Sequence, residues 1–328
     1  MKKQQSDLRK KINWFAVAPG VWGIKDIFVN MYLVHVPGEN GWVLVDAGLK
    51  TSGAKIKQLS EELFWPEVSP KAIILTHAHF DHIGSLRQLA DEWDVPVYAH
   101  AMEEPFLTGA SSYPPPDPTV GGGMLSFMSW AYPKGPIDIS DRLYLLPEDG
   151  TIPFMPDWNY IHTPGHAPGH ISLFRKRDGL LLAGDAFVTT NQESAISVMT
   201  QKKELHGPPK YFTYNWVSAE ESVKKLTGLD IQIAATGHGK PMTGDDLRSQ
   251  LYNLSIHFKE LAVPAHGRYV EDPALVNREG VQYLPPSRSR GLLLKAVGIT
   301  AAAVFAIVFA KKKIQQRRQH NRFVFSRN

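Results

Sequence analysis

Six consecutive residues, His77-Ala78-His79-Phe80-Asp81-His82, hold four side chains that can ligate a metal. In an extended segment His77 and His79 point the same way, because side chains repeat every second residue, so together they can grip one metal. Asp81 and His82 fall where the chain turns into a helix and can point at a neighbouring site. Packing is a poor account of this group, since buried polar groups without partners are costly. Three later positions follow one grammar: Thr163-Pro164-Gly165-His166, Ala183-Gly184-Asp185 and Thr236-Gly237-His238-Gly239 each end a strand with a ligand beside small residues. Small residues let the backbone come close, and strand ends fix ligand geometry beforehand. The chain has no cysteine, so any metal is held by nitrogen and oxygen. Imidazoles and carboxylates favour zinc, with manganese, iron or cobalt as alternatives. Two close metals would lower the pKa of a bridging water and yield hydroxide at neutral pH, able to attack a carbonyl or phosphorus centre. Among the other histidines, His170 reads as structural or as orienting a ligand, and His100 and His162 as structural. His35, His206, His257 and His266 have no motif around them.

These residues need rigid elements beneath them. Phe28–Val36 and Trp42–Val45 read as strands, the second ending at Asp46-Ala47-Gly48. Ser52–Phe64 reads as a helix. Ala72–Leu75 is a short apolar strand running into Thr76-His77, followed by a helix over Ile83–Trp93 and a strand over Val95–Ala99. Later strands are expected at Arg142–Leu146, Asp157–His162, His170–Arg175, Leu180–Ala183 and Ile231–Ala235, with Lys176-Arg177-Asp178-Gly179 turning one hairpin. Helices are expected at Ala219–Thr227 and Asp245–Leu261. Strands alternating with helices indicate α/β layering.

Two stretches are predicted to be irregular. Residues 105–136 carry seven prolines and the run Gly121-Gly122-Gly123, yet also Phe106, Tyr113, Met124, Phe127, Met128, Trp130 and Tyr132. Such a loop is either packed down or used as a lid or pocket wall. Residues 187–216 hold Tyr211, Phe212, Tyr214 and Trp216, which read as core or as pocket lining.

The pattern His-x-His-x-Asp-His, then His, Asp and His in that order, resembles the metallo-β-lactamase-fold hydrolase superfamily over roughly residues 14–262. The resemblance implies a four-layer αββα sandwich with two metals at one edge. It implies that His77, His79 and His166 hold one metal, that Asp81, His82 and His238 hold the other, and that Asp185 bridges both. Asp46 matches the family's first motif and would orient ligands without binding metal. Asp81 would also hydrogen-bond the nucleophile, which makes it the catalytic candidate. The expected activity is hydrolysis of a small ester, lactone or thioester by metal-bound hydroxide. An iron-dependent sulfur dioxygenase-like oxidoreductase and a phosphodiesterase are the alternatives. Phe187, Val188 and Thr189 follow Asp185 where acyl-homoserine lactonases often place a Tyr. The region before 262 lacks the basic cluster of glyoxalase II-like thioesterases.

Charge divides the chain. Residues 291–328 hold eight basic residues and no acid, so the other 290 carry −4 of the net +4. An acidic body argues against a nucleic-acid partner, which needs clustered Lys and Arg. No apolar h-region follows the basic start, so no secretory signal is expected. Gly291–Ala310 contains only Lys295 as a charge and, as a helix, would span about 30 Å, enough for a bilayer core. The expected organisation is a basic arm (1–13), a catalytic domain (14–262), a linker (263–290), a transmembrane helix (291–310) and a basic tail (311–328). Basic flanks tend to stay cytoplasmic, and here they lie on both sides of the span. The reading taken is a cytoplasmic catalytic domain, bound to a membrane by its tail and acting on a small molecule.

Overall fold

The computed structural model describes residues 12–38, 41–65 and 68–287. Its compact unit closes at Pro285. The first sheet runs in chain order: β1 (Trp14–Ala18), β2 (Val21–Asp26), β3 (Val29–Val36), β4 (Gly41–Val45), β5 (Ile73–Ile74), β6 (Val97–Ala99) and β7 (Leu143–Leu145). β1 to β4 are antiparallel neighbours, and β4 to β7 run parallel. The second sheet contains β8 (Trp158–His162), β9 (Ile171–Arg175), β10 (Leu180–Leu182), β11 (Ile233–Ala235) and β12 (Met242–Thr243), ordered β12-β11-β10-β9-β8. Within it, β10 and β11 are parallel.

Side-chain alternation shows how the layers form. On β3, Met31 and Leu33 belong to one buried cluster, and Tyr32, Val34 and Val36 to another. On β4, Trp42 and Leu44 go with the first, Val43 and Val45 with the second. The second cluster also takes Trp158, Ile171, Leu173, Leu180 and Leu182, so the two sheets face each other across it. The first cluster is closed by Ile56 and Leu59 of α1 (Gly53–Phe64) and by Leu86, Leu89 and Ala90. A third joins Leu181 and Ala234 to Val223 and Leu226 of α7 (Trp216–Thr227) and to Leu247, Leu251 and Leu254 of α8 (Gly244–Ile256). The layers are therefore helix, sheet, sheet, helix, each buried by period-2 strands and period-3.6 helices. Each fully buried Leu or Ile contributes about 1.5–3 kcal/mol. α7 starts where Asn215 accepts a hydrogen bond from the Ser218 N–H, which satisfies one free donor of its first turn.

Several boundaries differ from the sequence reading. The helix expected over Ile83–Trp93 is two pieces, α2 (Phe80–Ile83) and α3 (Leu86–Trp93). At the break the Gly84 N–H donates to the Gly48 carbonyl at 2.6 Å, and a Cβ on Gly84 would lie 2.4 Å from the Lys50 nitrogen. The close approach of the two loops breaks the helix and only glycine permits it. The helix expected over Asp245–Leu261 stops at Ile256 and resumes as α9 (Phe258–Leu261). The irregular stretches hold short helices: α4 (Glu104–Leu107), α5 (Met124–Phe127) and α6 (Ala195–Thr200). Residues 263–287, expected as part of a linker, are folded. β13 (Leu275–Asn277) pairs with β14 (Gly280–Tyr283), and Tyr269 is buried with Tyr214 and donates to the Pro115 carbonyl at 2.7 Å. Apolar anchors in a Pro- and Arg-rich text were enough to seat it. Among the described residues no helix is long and apolar enough to cross a membrane. The segment 291–310, the basic tail and most of the N-terminal arm lie outside the described residues.

Candidate metal centre

The expected ligands arrive from both sheets. The first sheet delivers His77, His79, Asp81 and His82 in the loop after β5 and in α2. The second delivers His166 after β8, Asp185 after β10 and His238 after β11. All seven side chains are buried. Three overlapping groups form, in each of which one ligand atom per residue lies within 4.8 Å of the others: His77/His79/His166, His77/His82/Asp185 and Asp81/His82/His238. Asp185 Oδ2 stands 3.0 Å from His238 Nε2, 3.4 Å from His166 Nε2 and 3.7 Å from His82 Nε2, so one oxygen faces donors of both halves. Asp81 Oδ2 is 3.6 Å from His238 Nε2.

Surrounding acceptors choose which nitrogen of each ring faces inward. His82 Nδ1–H donates to Asp46 Oδ2 at 2.8 Å, and His238 Nδ1–H donates to the Phe28 carbonyl at 2.7 Å. Each then turns its Nε2 to the cluster, where a metal can replace any proton on it. Asp46 also accepts the Thr76 N–H and the Thr76 hydroxyl, both at 2.8 Å. Among the described residues it hydrogen-bonds no other candidate ligand and belongs to none of the three groups. His170 is likewise not in the cluster. Its Nε2 accepts the Asp185 N–H at 2.8 Å, so Nδ1 carries the proton and donates to Thr163 Oγ1 at 2.9 Å. His170 thereby orients the Asp185 carboxylate through the backbone.

The donors have the electronics of metal ligands. His77 Nε2, His82 Nε2, His166 Nδ1 and Asp185 Oδ1 are buried without a hydrogen-bond partner among the described residues. Such atoms in a packed interior call for an explanation, and a cation shared by converging lone pairs supplies one for His77 Nε2 and His82 Nε2. His79 Nδ1 and His166 Nε2 lie 2.9 Å apart, a hydrogen bond whose two nitrogens could both turn to a cation. Burial pushes His77 and His79 well below the usual imidazole range and His166 to about 3, helped at His77 and His79 by neighbouring histidines. They are neutral at pH 7. At His82 and His238 burial works the same way, but the surrounding carboxylates overcome it. Asp46, Asp185 and Asp81 raise His82 well above the usual range, and Asp185 and Asp81 raise His238. Burial raises Asp81, whereas His238 and His82 outweigh burial at Asp185 and hold it well below the carboxylate range. A hard-to-borderline divalent cation, displacing the protons that the carboxylates favour on His82 and His238, fits this set of imidazoles and carboxylates.

Glycine completes the geometry at one point. A Cβ on Gly237 would lie 2.0 Å from Asp185 Oδ1, so any side chain there would displace that carboxylate. Asn30 and Tyr32 on β3 hold the same turn, donating to the Thr236 carbonyl at 2.9 and 2.6 Å.

Sequence reasoning missed Glu103. Its fully buried carboxylate accepts the Ala78 N–H at 2.9 Å through Oε2 and the Gly169 N–H at 2.6 Å through Oε1, with the Tyr113 hydroxyl also donating to it. It joins the loop of the His77–His82 hexad to the loop after His166. Burial raises it to about 8. Nothing in Ala101-Met102-Glu103-Glu104-Pro105 signals this role, because both contacts are distant in sequence. Aromatic residues cover the centre. Phe212 stacks on His79 at 4.5 Å, Tyr113 lies 4.5 Å from it, and Tyr132 stacks on Phe80 at 5.3 Å. Of the 211–216 cluster, Phe212 thus lines the centre, whereas Trp216 packs in the helix-side core. His100 and His162 lie outside the cluster, stacked on each other at 4.0 Å.

Comparisons with known proteins agree with this geometry. The profile of the metallo-beta-lactamase superfamily matches residues 24–238. The chain is similar to "Probable metallo-hydrolase YflN" of Bacillus subtilis (strain 168), 46% identical over 242 residues that cover 74% of this chain and 92% of that one. Among solved structures it resembles BJP-1, a subclass B3 metallo-beta-lactamase of Bradyrhizobium japonicum, with a TM-score of 0.51 at 19% identity, covering 76% and 92% of the two chains. It also resembles a metallo-beta-lactamase family protein from Thermus thermophilus, TTHA1429, with a TM-score of 0.50 at 22% identity, covering 74% and 81%. Those two likenesses concern the fold. The match of the family profile across most of the chain, with the seven donors gathered at one edge of the sandwich, means that the chain belongs to the metallo-β-lactamase superfamily.

Proposed function

We propose that this chain is a dinuclear metal-dependent hydrolase of a small ester, lactone or thioester. In this reading His77, His79 and His166 hold one divalent ion, Asp81, His82 and His238 the other, and Asp185 lies between them. The observation that carries it is the overlap of seven buried donors in three groups that share His77 and His82. Zinc is the proposed identity, because five imidazoles dominate the seven donors and imidazole suits that ion. A bound pair of such ions supplies a Lewis acid and a water activated at neutral pH. The chain does the rest. Asp46 and the Phe28 carbonyl hold two imidazoles in the required tautomer, and His170 fixes the backbone of Asp185. Asp81 can also accept a hydrogen bond from the attacking water. In ester hydrolysis the acyl–oxygen bond breaks, the water's hydroxyl joins the acyl carbon and its proton goes to the leaving oxygen. Phe212, Tyr113 and Tyr132 offer an acyl group an apolar wall and exclude bulk water. That wall supports an acyl substrate over a phosphodiester, which would call for cationic partners.

The test is elemental analysis of the purified protein followed by a panel of esters, lactones, thioesters and phosphodiesters. Two ions per chain and turnover within the first three classes are expected. His79→Ala and Asp185→Ala should each lose bound metal and at least about 100-fold in kcat/KM. Full metal and full activity in both variants would overturn the ligand assignment. We further propose that Gly291–Ala310 and the basic residues after it tether a cytoplasmic catalytic unit to a membrane, supported by the length and charge of that segment. Protease added outside intact cells should leave the catalytic unit whole; its digestion would reverse the orientation.

A further inference from the structure

The apolar residues of 105–136 divide into two groups. Phe106, Tyr113 and Val120 are buried, while Met124, Phe127, Met128 and Trp130 are exposed, Phe127 and Trp130 at 63% each. Across from them, α6 exposes Ile196 and Met199, at 75% and 81%. The two segments are fastened together. The Leu125 N–H donates to the Glu193 carbonyl at 3.3 Å, and the buried Glu193 side chain accepts the Lys210 N–H at 2.7 Å. Single exposed apolar residues are ordinary, but six large ones on two joined segments mark a surface that meets something apolar.

This collar continues into the metal centre. Tyr132, two residues beyond Trp130, lies 5.8 Å from Tyr211 and 6.0 Å from Phe212, and Phe212 stacks on His79. Aromatic rings therefore run from Tyr132, next to the collar in sequence, to the buried donors. Exposed Lys134, Lys202 and Lys203 follow the two apolar segments in sequence, with Lys202 also paired to Glu204 at 2.8 Å. Apolar tips with lysines at their edge match a surface that is apolar inside and anionic outside. The same chain carries a 20-residue apolar segment with seven basic residues after it.

We propose that the collar formed by residues 124–131 and 195–200 docks on an anionic lipid bilayer, and that the acyl chains of esters dissolved there enter the centre along the Tyr132–Phe212 wall. The second clause rests on the hydrolase reading, and the first does not.

The full chain is mixed with phosphatidylcholine/phosphatidylglycerol vesicles whose acyl chains are brominated, and tryptophan quenching is read. Trp130→Phe should remove most of the quenching, whereas Trp65→Phe, which alters an exposed tryptophan at the end of α1, should not. Quenching untouched by Trp130→Phe would overturn the docking face. Dimers in sedimentation that dissociate in a Phe127→Ser/Met199→Ser chain would assign the collar to a second copy and overturn it as well. Nitrophenyl esters from acetyl to decanoyl test the substrate. Their kcat/KM should rise about twofold to fourfold per methylene, as for an alkyl chain gaining apolar cover, and the rise should flatten in the Phe127→Ser/Met199→Ser chain. A flat series in the native chain overturns the acyl route while leaving the hydrolase reading intact. Turnover of no ester at all strikes the hydrolase reading, and the quenching result still decides the docking face.

Discussion

The two halves of the centre differ in their protons. His77, His79 and His166 are neutral at pH 7 and can accept a cation without releasing anything. His82, raised well above the usual range by its carboxylates, holds a proton that a metal must displace, and His238 is raised in the same direction. Calorimetric titration of the metal-free protein in buffers of different ionisation enthalpy should show one binding step that releases protons near pH 7 and one that does not. Two proton-neutral steps would contradict the assignment of the halves. Asp46→Asn should cost about 10–100-fold in metal affinity or activity, because His82 would lose the carboxylate that fixes its tautomer. Metal affinity measured by competition with a chelator checks it. The seven side chains that gather in the structure could be picked out of the sequence because each sits in a short motif of distinctive spacing. Glu103 could not, since its meaning lies in contacts with Ala78 and Gly169, 25 and 66 positions away.

At the scale of elements, the loops after β5 and β8 are tied by one carboxylate. Glu103→Ala would leave the Gly169 N–H buried without that partner, at about 1–3 kcal/mol, and the Ala78 N–H with only the Tyr113 hydroxyl, besides the lost packing of a buried side chain. A loss of roughly 2–5 kcal/mol in denaturant unfolding is expected. Glu103→Gln should recover part of it, since an amide oxygen can still accept one of the two. Strands were legible from apolar runs and their alternation, and β9–β10 from its charged turn. Helix breaks were not, because what interrupts α2–α3 is the approach of Gly48 to Gly84 and not a local breaker. The folded stretch after 262 was hidden for a similar reason. Its anchor, Tyr269, is one aromatic in polar text, and its partner Tyr214 lies 55 positions back.

For the molecule as a whole, the centre lies on the seam between two sheets, four donors from one and three from the other. Metal binding therefore adds to global stability as RT ln(1 + [M]/Kd), about 4 kcal/mol at a thousandfold excess over Kd. At about 2–4 °C per kcal/mol for a unit of this size, chelation should lower Tm by roughly 10 °C. The metal-free protein should also be acid-sensitive. His77, His79, His166 and His170 titrate well below 6.5 when folded, the last two near 3. The unfolded chain then binds more protons, so their contribution is complete above about pH 6.5 and lost as pH falls towards 3. Glu103, raised to about 8, and Asp81, also raised, act in the opposite sense over part of this range, while His82 and His238 do so only above about pH 6.5, so below that pH the four depressed imidazoles set the direction. Tm of the metal-free protein measured from pH 7 to pH 4 should fall steadily; a flat profile would count against neutral buried imidazoles.

The seam also orders events during synthesis. Residues 77–82 leave the ribosome long before residue 238, so the growing chain displays four donors while their counterparts are still unmade. Until the second sheet closes over the first, an incoming ion meets only half a cage. Capture of the full pair has to wait until the last strand carrying a donor, β11, has emerged. A cell short of metal would therefore lose finished enzyme to incomplete loading, and a cell rich in the wrong ion could trap it early on the hexad.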